Sequence, residues 1–290
     1  MTQKLLVAKT KSRKPCFMVM TGVCEFAGLS LALALLISSP GFYRVVYFIS
    51  TGYAFSISAM AVAAGWIYRD SLTGPACAQL ALLLLYGLRL GTYLLRRELS
   101  PQFAKELADV HSRAEKVPRS VRPFIWISVS VLYVLMFSPA ACIVQALFAK
   151  RELPVGWLFA GVAVMGGGLL MESVADAQKN AYKRTNPHRF CDVGLYRLVR
   201  CPNYLGEVLF WLGNLLAGIS AYQAYWQWAM ALAGFVCITL IMMGSTKRLE
   251  AKQAERYGSR DDYQQYVKSV PVLFPLLPVY SLRKVRVYLE

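Results

Sequence analysis

Seven long apolar runs, separated by short polar stretches, set the plan of the chain. They are Phe17 to Ser38, Val45 to Tyr68, Ala76 to Leu95, Phe124 to Phe148, Val155 to Ala175, the short Leu205 to Ile219, and Tyr225 to Met243. About 20 apolar residues of helix cross a bilayer core, and a backbone in lipid must satisfy its own hydrogen bonds. The pattern predicts an all-α polytopic membrane protein, a bundle of about seven transmembrane helices. Ser39-Pro40-Gly41, Arg69-Asp70, Thr73-Gly74-Pro75 and Lys150-Arg151-Glu152 mark turns between runs. Pro139 predicts a kink in the fourth span. The small residues Gly52, Ser56, Ser58, Ala61, Ala63 and Ala64 suit close helix packing in the second span, and Gly166-Gly167-Gly168 allows a neighbour close to the fifth. With no repeat, no low-complexity segment and no second domain, residues 1–290 read as a single membrane-embedded domain.

Composition supports that reading: 57% of the residues are hydrophobic, and the mean hydropathy is +0.42. The net charge of +16 would otherwise suggest nucleic acid. Here the basic residues lie between apolar runs, where they set orientation and meet anionic headgroups, so membrane lipids are expected partners and nucleic acid is not. Seven cysteines without a CxxC pair predict neither a disulfide framework nor a zinc site. His111 and His188 are too few for a di-iron oxygenase. The loops after spans three and five and the tail from Ser245 to Glu290 are basic and so expected in the cytoplasm, which places the N-terminus outside. The basic opening with Lys4, Lys9, Lys11, Arg13 and Lys14 argues the other way, and it resembles a signal peptide except that its apolar run is too long and lacks a cleavage site. The loop Arg96 to Arg122 is expected to be partly helical along the surface. In a bacterium the location would be the inner membrane.

Polar groups inside the spans are costly, and they carry the candidate chemistry. Glu25 in the first span faces either the bundle interior or interfacial water. Tyr86, Arg89 and Tyr93 share one helix face in the third, looking inward or forming an interfacial belt. Glu172 and Asp176 share a face at the end of the fifth span. Asn203 and Glu207 repeat that spacing at the start of the sixth, with Asn214 deeper in. Lys183, Arg197 and Arg200 stand beside them at the surface. Carboxylates accept from sugar hydroxyls and arginines grip phosphate, so the stretch Glu172 to Trp211 suits a phosphorylated polar ligand, unless its ion pairs simply seal a loop. No Gly-rich Rossmann or P-loop fingerprint is present.

Glu172-x-x-x-Asp176, Gly194-Leu195-Tyr196, Arg200-Cys201-Pro202-Asn203-Tyr204-Leu205-Gly206-Glu207 and Tyr263-x-x-Tyr266-x-x-x-Val270-Pro271 resemble the C-terminal domain of the steroid 5-alpha-reductase family, especially its bacterial relatives of undefined function. The resemblance covers roughly Leu80 to Pro275. It implies about seven membrane helices, NADPH bound on the cytoplasmic side, and a lipid-like substrate entering from the bilayer. It carries NADPH contacts onto Asp176, Lys183, Tyr196, Arg200, Asn203, Tyr204 and Glu207. Glu172 stands where some members have asparagine, and Arg197, Lys247 and Arg248 are added as basic groups at the same mouth. Tyr86-x-x-Arg89 resembles the family's Tyr-x-x-Arg, whose tyrosine polarises the substrate carbonyl, with Arg89 and Tyr93 facing the substrate.

Two departures stand out. The family's second-span glutamate has no counterpart in Val45 to Tyr68, so Glu25 is the expected substitute, and the histidine of the Pro-Asn-Tyr motif is Cys201. The expected function is NADPH-dependent reduction of a carbon–carbon double bond in a lipidic or steroid-like enone. If Tyr86 is not the proton donor, Glu25, Tyr53 or Tyr93 would be. The alternative is S-adenosylmethionine-dependent methyl transfer of the isoprenylcysteine methyltransferase type. A non-catalytic scaffold would leave the buried polar groups as an unexplained cost. No feature requires an obligate protein partner.

Overall fold

The structure, a computed structural model, describes residues 14–100, 108, 112, 114, 116–283 and 285, with side chains from residue 25 onwards. Seven helices alternate in direction: α1 Lys14–Ser38, α2 Thr51–Ile67, α3 Gly74–Leu99, α4 Arg122–Phe148, α5 Val155–Thr185, α6 Pro202–Ala217 and α7 Tyr225–Tyr257. A short α8, Asp261–Ser269, follows. Among the described residues, five segments are long and apolar enough to cross a membrane, while α2 and α6, with 17 and 16 residues, are shorter. Prolines open α3, α4 and α6, where a missing amide costs nothing. Of the loop 96–122, where a surface helix is expected, residues 101–107, 109–111, 113 and 115 lie outside the described residues.

The helices differ from the apolar runs mainly at their ends. Instead of stopping at Ala175 and Met243, α5 and α7 continue to Thr185 and Tyr257. Their 31 and 33 residues correspond to roughly 46 and 50 Å of helix, against a bilayer core of about 30 Å. Both overhang the same end of the bundle, where polar residues keep the helical backbone paired after the apolar run has ended. In the second span the helix breaks at Ser50, leaving a short turn of helix, Val46–Ile49, before α2. Exposed Trp66, Phe148, Trp157, Tyr225 and Trp226 ring the opposite end, a placement typical of a membrane interface.

The closest helix pair, α5 with α6, positions the site. Glycines recur seven residues apart on both, and the antiparallel register sets Gly161 against Gly213 and Gly168 against Gly206. A Cβ on Gly206 would lie 2.7 Å from the Gly168 carbonyl oxygen and 2.8 Å from the Glu172 nitrogen, so backbone meets backbone here. Of the expected Gly166-Gly167-Gly168 contact, only Gly168 takes part; the other two face open space. Deeper in the bundle, Gln79 of α3 donates to Asn214 of α6 at 2.8 Å, and Asn214 donates to the Met136 carbonyl of α4 at 2.9 Å. Asn214 is therefore a buried brace between three helices, with both its amide oxygen and its amide nitrogen hydrogen-bonded within the core.

Candidate functional site

Tyr86 is fully buried where α2, α3 and α6 meet. Its ring stacks on Phe210 at 4.4 Å and meets Trp211 edge-on at 5.6 Å. Its hydroxyl donates to Glu207 Oε1 at 2.7 Å and lies 2.8 Å from the Tyr53 hydroxyl, which also donates to Glu207 Oε1 at 3.2 Å. One turn nearer the overhanging end of the bundle, Arg89 forks across two carboxylates of α5. Its Nη1 is 2.6 Å from Glu172 Oε1 and its Nη2 is 2.7 Å from Asp176 Oδ2. The fork matches the spacing of the two acids on one helix face, which a lysine could not do. Glu172 Oε2 is buried and has no hydrogen-bond partner among the described residues. The site thus has two layers: phenols and a carboxylate at depth, and a guanidinium with two carboxylates above. Three acids face one cation, leaving acceptors to spare for a ligand's hydroxyls.

A family model described as "Protein of unknown function (DUF1295)" matches residues 42–270. The chain belongs to this family. No curated protein and no solved structure matches it. Every residue of the two layers lies inside the DUF1295 match, whereas α1, with Glu25, lies before it.

The DUF1295 bundle brings together five of the residues singled out from the sequence: Tyr86, Arg89, Glu172, Asp176 and Glu207. Glu25 is not with them. It is exposed, and its electrostatic neighbour is Tyr68 at the far end of α2, about 22 Å along the helix from Tyr53. The second-helix place next to Tyr86 belongs to Tyr53, and the carboxylate comes from Glu207 of α6. Tyr53 was legible only as a fallback, because a lone tyrosine on a helix of small residues has no periodic partner. Tyr93 is 42% exposed, two turns beyond Tyr86, and does not join the site. Asn203 and Tyr204 are half-buried on the first turn of α6, Lys247 is half-buried, and Arg197 and Arg248 are exposed at the same end of the bundle. Arg248 donates to Ser245 Oγ at 2.9 Å.

Three residues expected to contact a ligand make bonds that hold the fold together. Arg200 is 2% exposed, lies 3.3 Å from Glu250 of α7, and donates to the Tyr280 carbonyl. Glu250 accepts the Leu282 amide at 3.0 Å, and the amides of Arg200 and Cys201 donate to the carbonyls of Pro271 and Val272. This buried knot stitches the segment 271–282 to the loop before α6 through Arg200 Nη2, while the buried Arg200 Nε has no hydrogen-bond partner among the described residues. Tyr196 is buried, with its hydroxyl on the Ala175 carbonyl and its own carbonyl accepting from Tyr266. Lys183 bonds the Tyr257 hydroxyl at 2.9 Å and the Arg189 carbonyl, tying the overhangs of α5 and α7. Gly194 starts that loop with φ +58, and its missing Cβ leaves room for the Gln178 amide, which accepts from Leu195. Burial pushes the Cys201 thiol up to about 12, so it remains a neutral packing group at neutral pH.

Arg200→Ala should destabilise the protein by about 3 kcal/mol, because it leaves a buried Glu250 unpaired. Limited proteolysis should then cut within 271–282. Replacing both partners with apolar residues, Arg200→Met with Glu250→Leu, should recover most of the loss, as expected for a structural pair.

Proposed function

We propose that this membrane protein reduces a carbon–carbon double bond conjugated to a carbonyl in a lipidic molecule, with NADPH as the reductant and Tyr86 as the proton donor. The observation that carries this reading is the Tyr86 hydroxyl, sealed from water and hydrogen-bonded to Glu207, at the helix position that resembles the reductase tyrosine. NADPH, when bound, supplies the hydride. The chain's part is to hold a proton at Tyr86 Oη where negative charge develops on the substrate oxygen, in a dry environment where one hydrogen bond counts heavily.

The residues at the mouth suit such a cofactor. The unpartnered Glu172 Oε2 and the part-exposed Asp176 are acceptors for sugar hydroxyls. Arg97 and Arg248 lie within electrostatic range of Tyr204, offering cations for phosphates nearer the surface than the buried Arg200. Asn203, Arg197 and Lys247 line the same end. The basic loops favour placing that end in the cytoplasm, and the apolar substrate would then enter from the bilayer.

Thermal unfolding in detergent tests this reading against methyl transfer. NADPH at a hundred times its dissociation constant should add ~2.7 kcal/mol of stability, and S-adenosylmethionine should add nothing. Asn203→Ala should lose most of the NADPH effect. Stabilisation by S-adenosylmethionine alone would replace reduction with methyl transfer.

A further inference from the structure

Tyr53 is held as firmly as Tyr86. Its ring lies 5.5 Å from that of Tyr133 and 6.3 Å from that of Trp211, and only 7% of the residue is exposed. Its hydroxyl closes a triangle of oxygens contributed by α2, α3 and α6, with sides of 2.8, 2.7 and 3.2 Å. Two phenolic protons serve three contacts, so at any instant one contact is without a proton. That choice has a consequence when Tyr86 acts. If Tyr86 turns its proton from Glu207 towards a reacting oxygen, Tyr53 still donates to Glu207 Oε1, and the buried carboxylate oxygen keeps a donor. If the Tyr86 oxygen becomes electron-rich, Tyr53 can donate to it instead across 2.8 Å. A buried oxygen left without a donor is costly, and the single Tyr53 proton goes where it is needed: to Glu207 Oε1 while Tyr86 donates away, and to Tyr86 Oη once that oxygen is electron-rich.

We propose that Tyr53 is a positioning residue for Tyr86, which aims the Tyr86 hydroxyl and covers both of its hydrogen-bonding states. The kinetic part of this proposal rests on the reductase reading; the structural part does not.

Tyr53→Phe keeps the ring and removes the one hydroxyl. The protein would be prepared in detergent micelles with 13C at tyrosine Cζ, and the Tyr86 resonance assigned by its loss in Tyr86→Phe. Tyr53→Phe should move that resonance more than Tyr133→Phe, whose hydroxyl instead serves the Phe48 carbonyl. With NADPH and either a 3-oxo-4-ene steroid or a long-chain acyclic enone, Tyr53→Phe should lower turnover roughly 10- to 100-fold with the KM for NADPH unchanged. An unmoved Tyr86 resonance would overturn the proposal, because Tyr53 would then be packing only; so would wild-type turnover in Tyr53→Phe. If the wild type neither binds nor oxidises NADPH, the reductase reading fails by itself, and the resonance alone decides the role of Tyr53.

Discussion

Tyr86→Phe is expected to lower turnover of an accepted enone by a factor of ~100 to ~1000 while leaving NADPH affinity nearly unchanged. The substitution preserves the ring stacked on Phe210 and its edge contact with Trp211, and deletes only the hydroxyl. The factor corresponds to the loss of one preorganised donor to a developing oxyanion in a water-excluded site. Cofactor affinity should hold because the groups proposed to grip NADPH sit in the outer layer and the mouth, a turn or more from Tyr86. Glu207 would still be held by Tyr53. Single-turnover kinetics and a binding titration on the same preparation separate the two quantities. Equal losses in both would mark Tyr86 as a structural residue.

Gly206→Leu should have the largest effect on stability, above about 4 kcal/mol, and should prevent accumulation of folded protein. A side chain there would run into the Gly168 carbonyl and the Glu172 amide, backbone atoms with no rotamer to change. Relief would require α5 and α6 to separate, which would also withdraw Glu172 and Asp176 from Arg89. Gly167→Leu supplies the control. The position lies one residue from the contact, faces open space, and should change stability by no more than about 0.5 kcal/mol. Expression level and thermal unfolding in detergent report both. Tolerance of leucine at both positions would mean that the glycine register does not hold this helix pair.

How much of the fold is legible in the sequence depends on the range of each interaction. The apolar runs placed all seven helices, five of them long and apolar enough to cross a membrane, because an apolar run is a local property. The overhangs of α5 and α7 were not legible, since hydrophobicity marks where lipid ends and not where a helix ends. Spacing paired Glu172 with Asp176 and set Glu207 near the start of its helix, again local arithmetic. What joined them to Arg89 and Tyr86 was packing between helices far apart in sequence. The same distance hid Glu250, fifty residues from Arg200, and with it the buried pair that ties the loop before α6 to the tail. Glu25 was misplaced because an acidic residue within an apolar run reveals neither its depth nor its face. The seven-residue glycine spacing on both α5 and α6 was visible in principle, whereas the three consecutive glycines set one contact position, Gly168, beside two that face outward.

Transfer of deuterium from NADPH labelled at its hydride position to the β-carbon of an enone is the most direct test of the central claim. The purified protein should place one deuterium in the product, detected by mass spectrometry, and Tyr86→Phe should slow that incorporation by two to three orders of magnitude, about the loss of one oxyanion donor. If neither a 3-oxo-4-ene steroid nor a long-chain enone acquires the label, while a lipid thiol acquires a methyl group from S-adenosylmethionine, the account is contradicted.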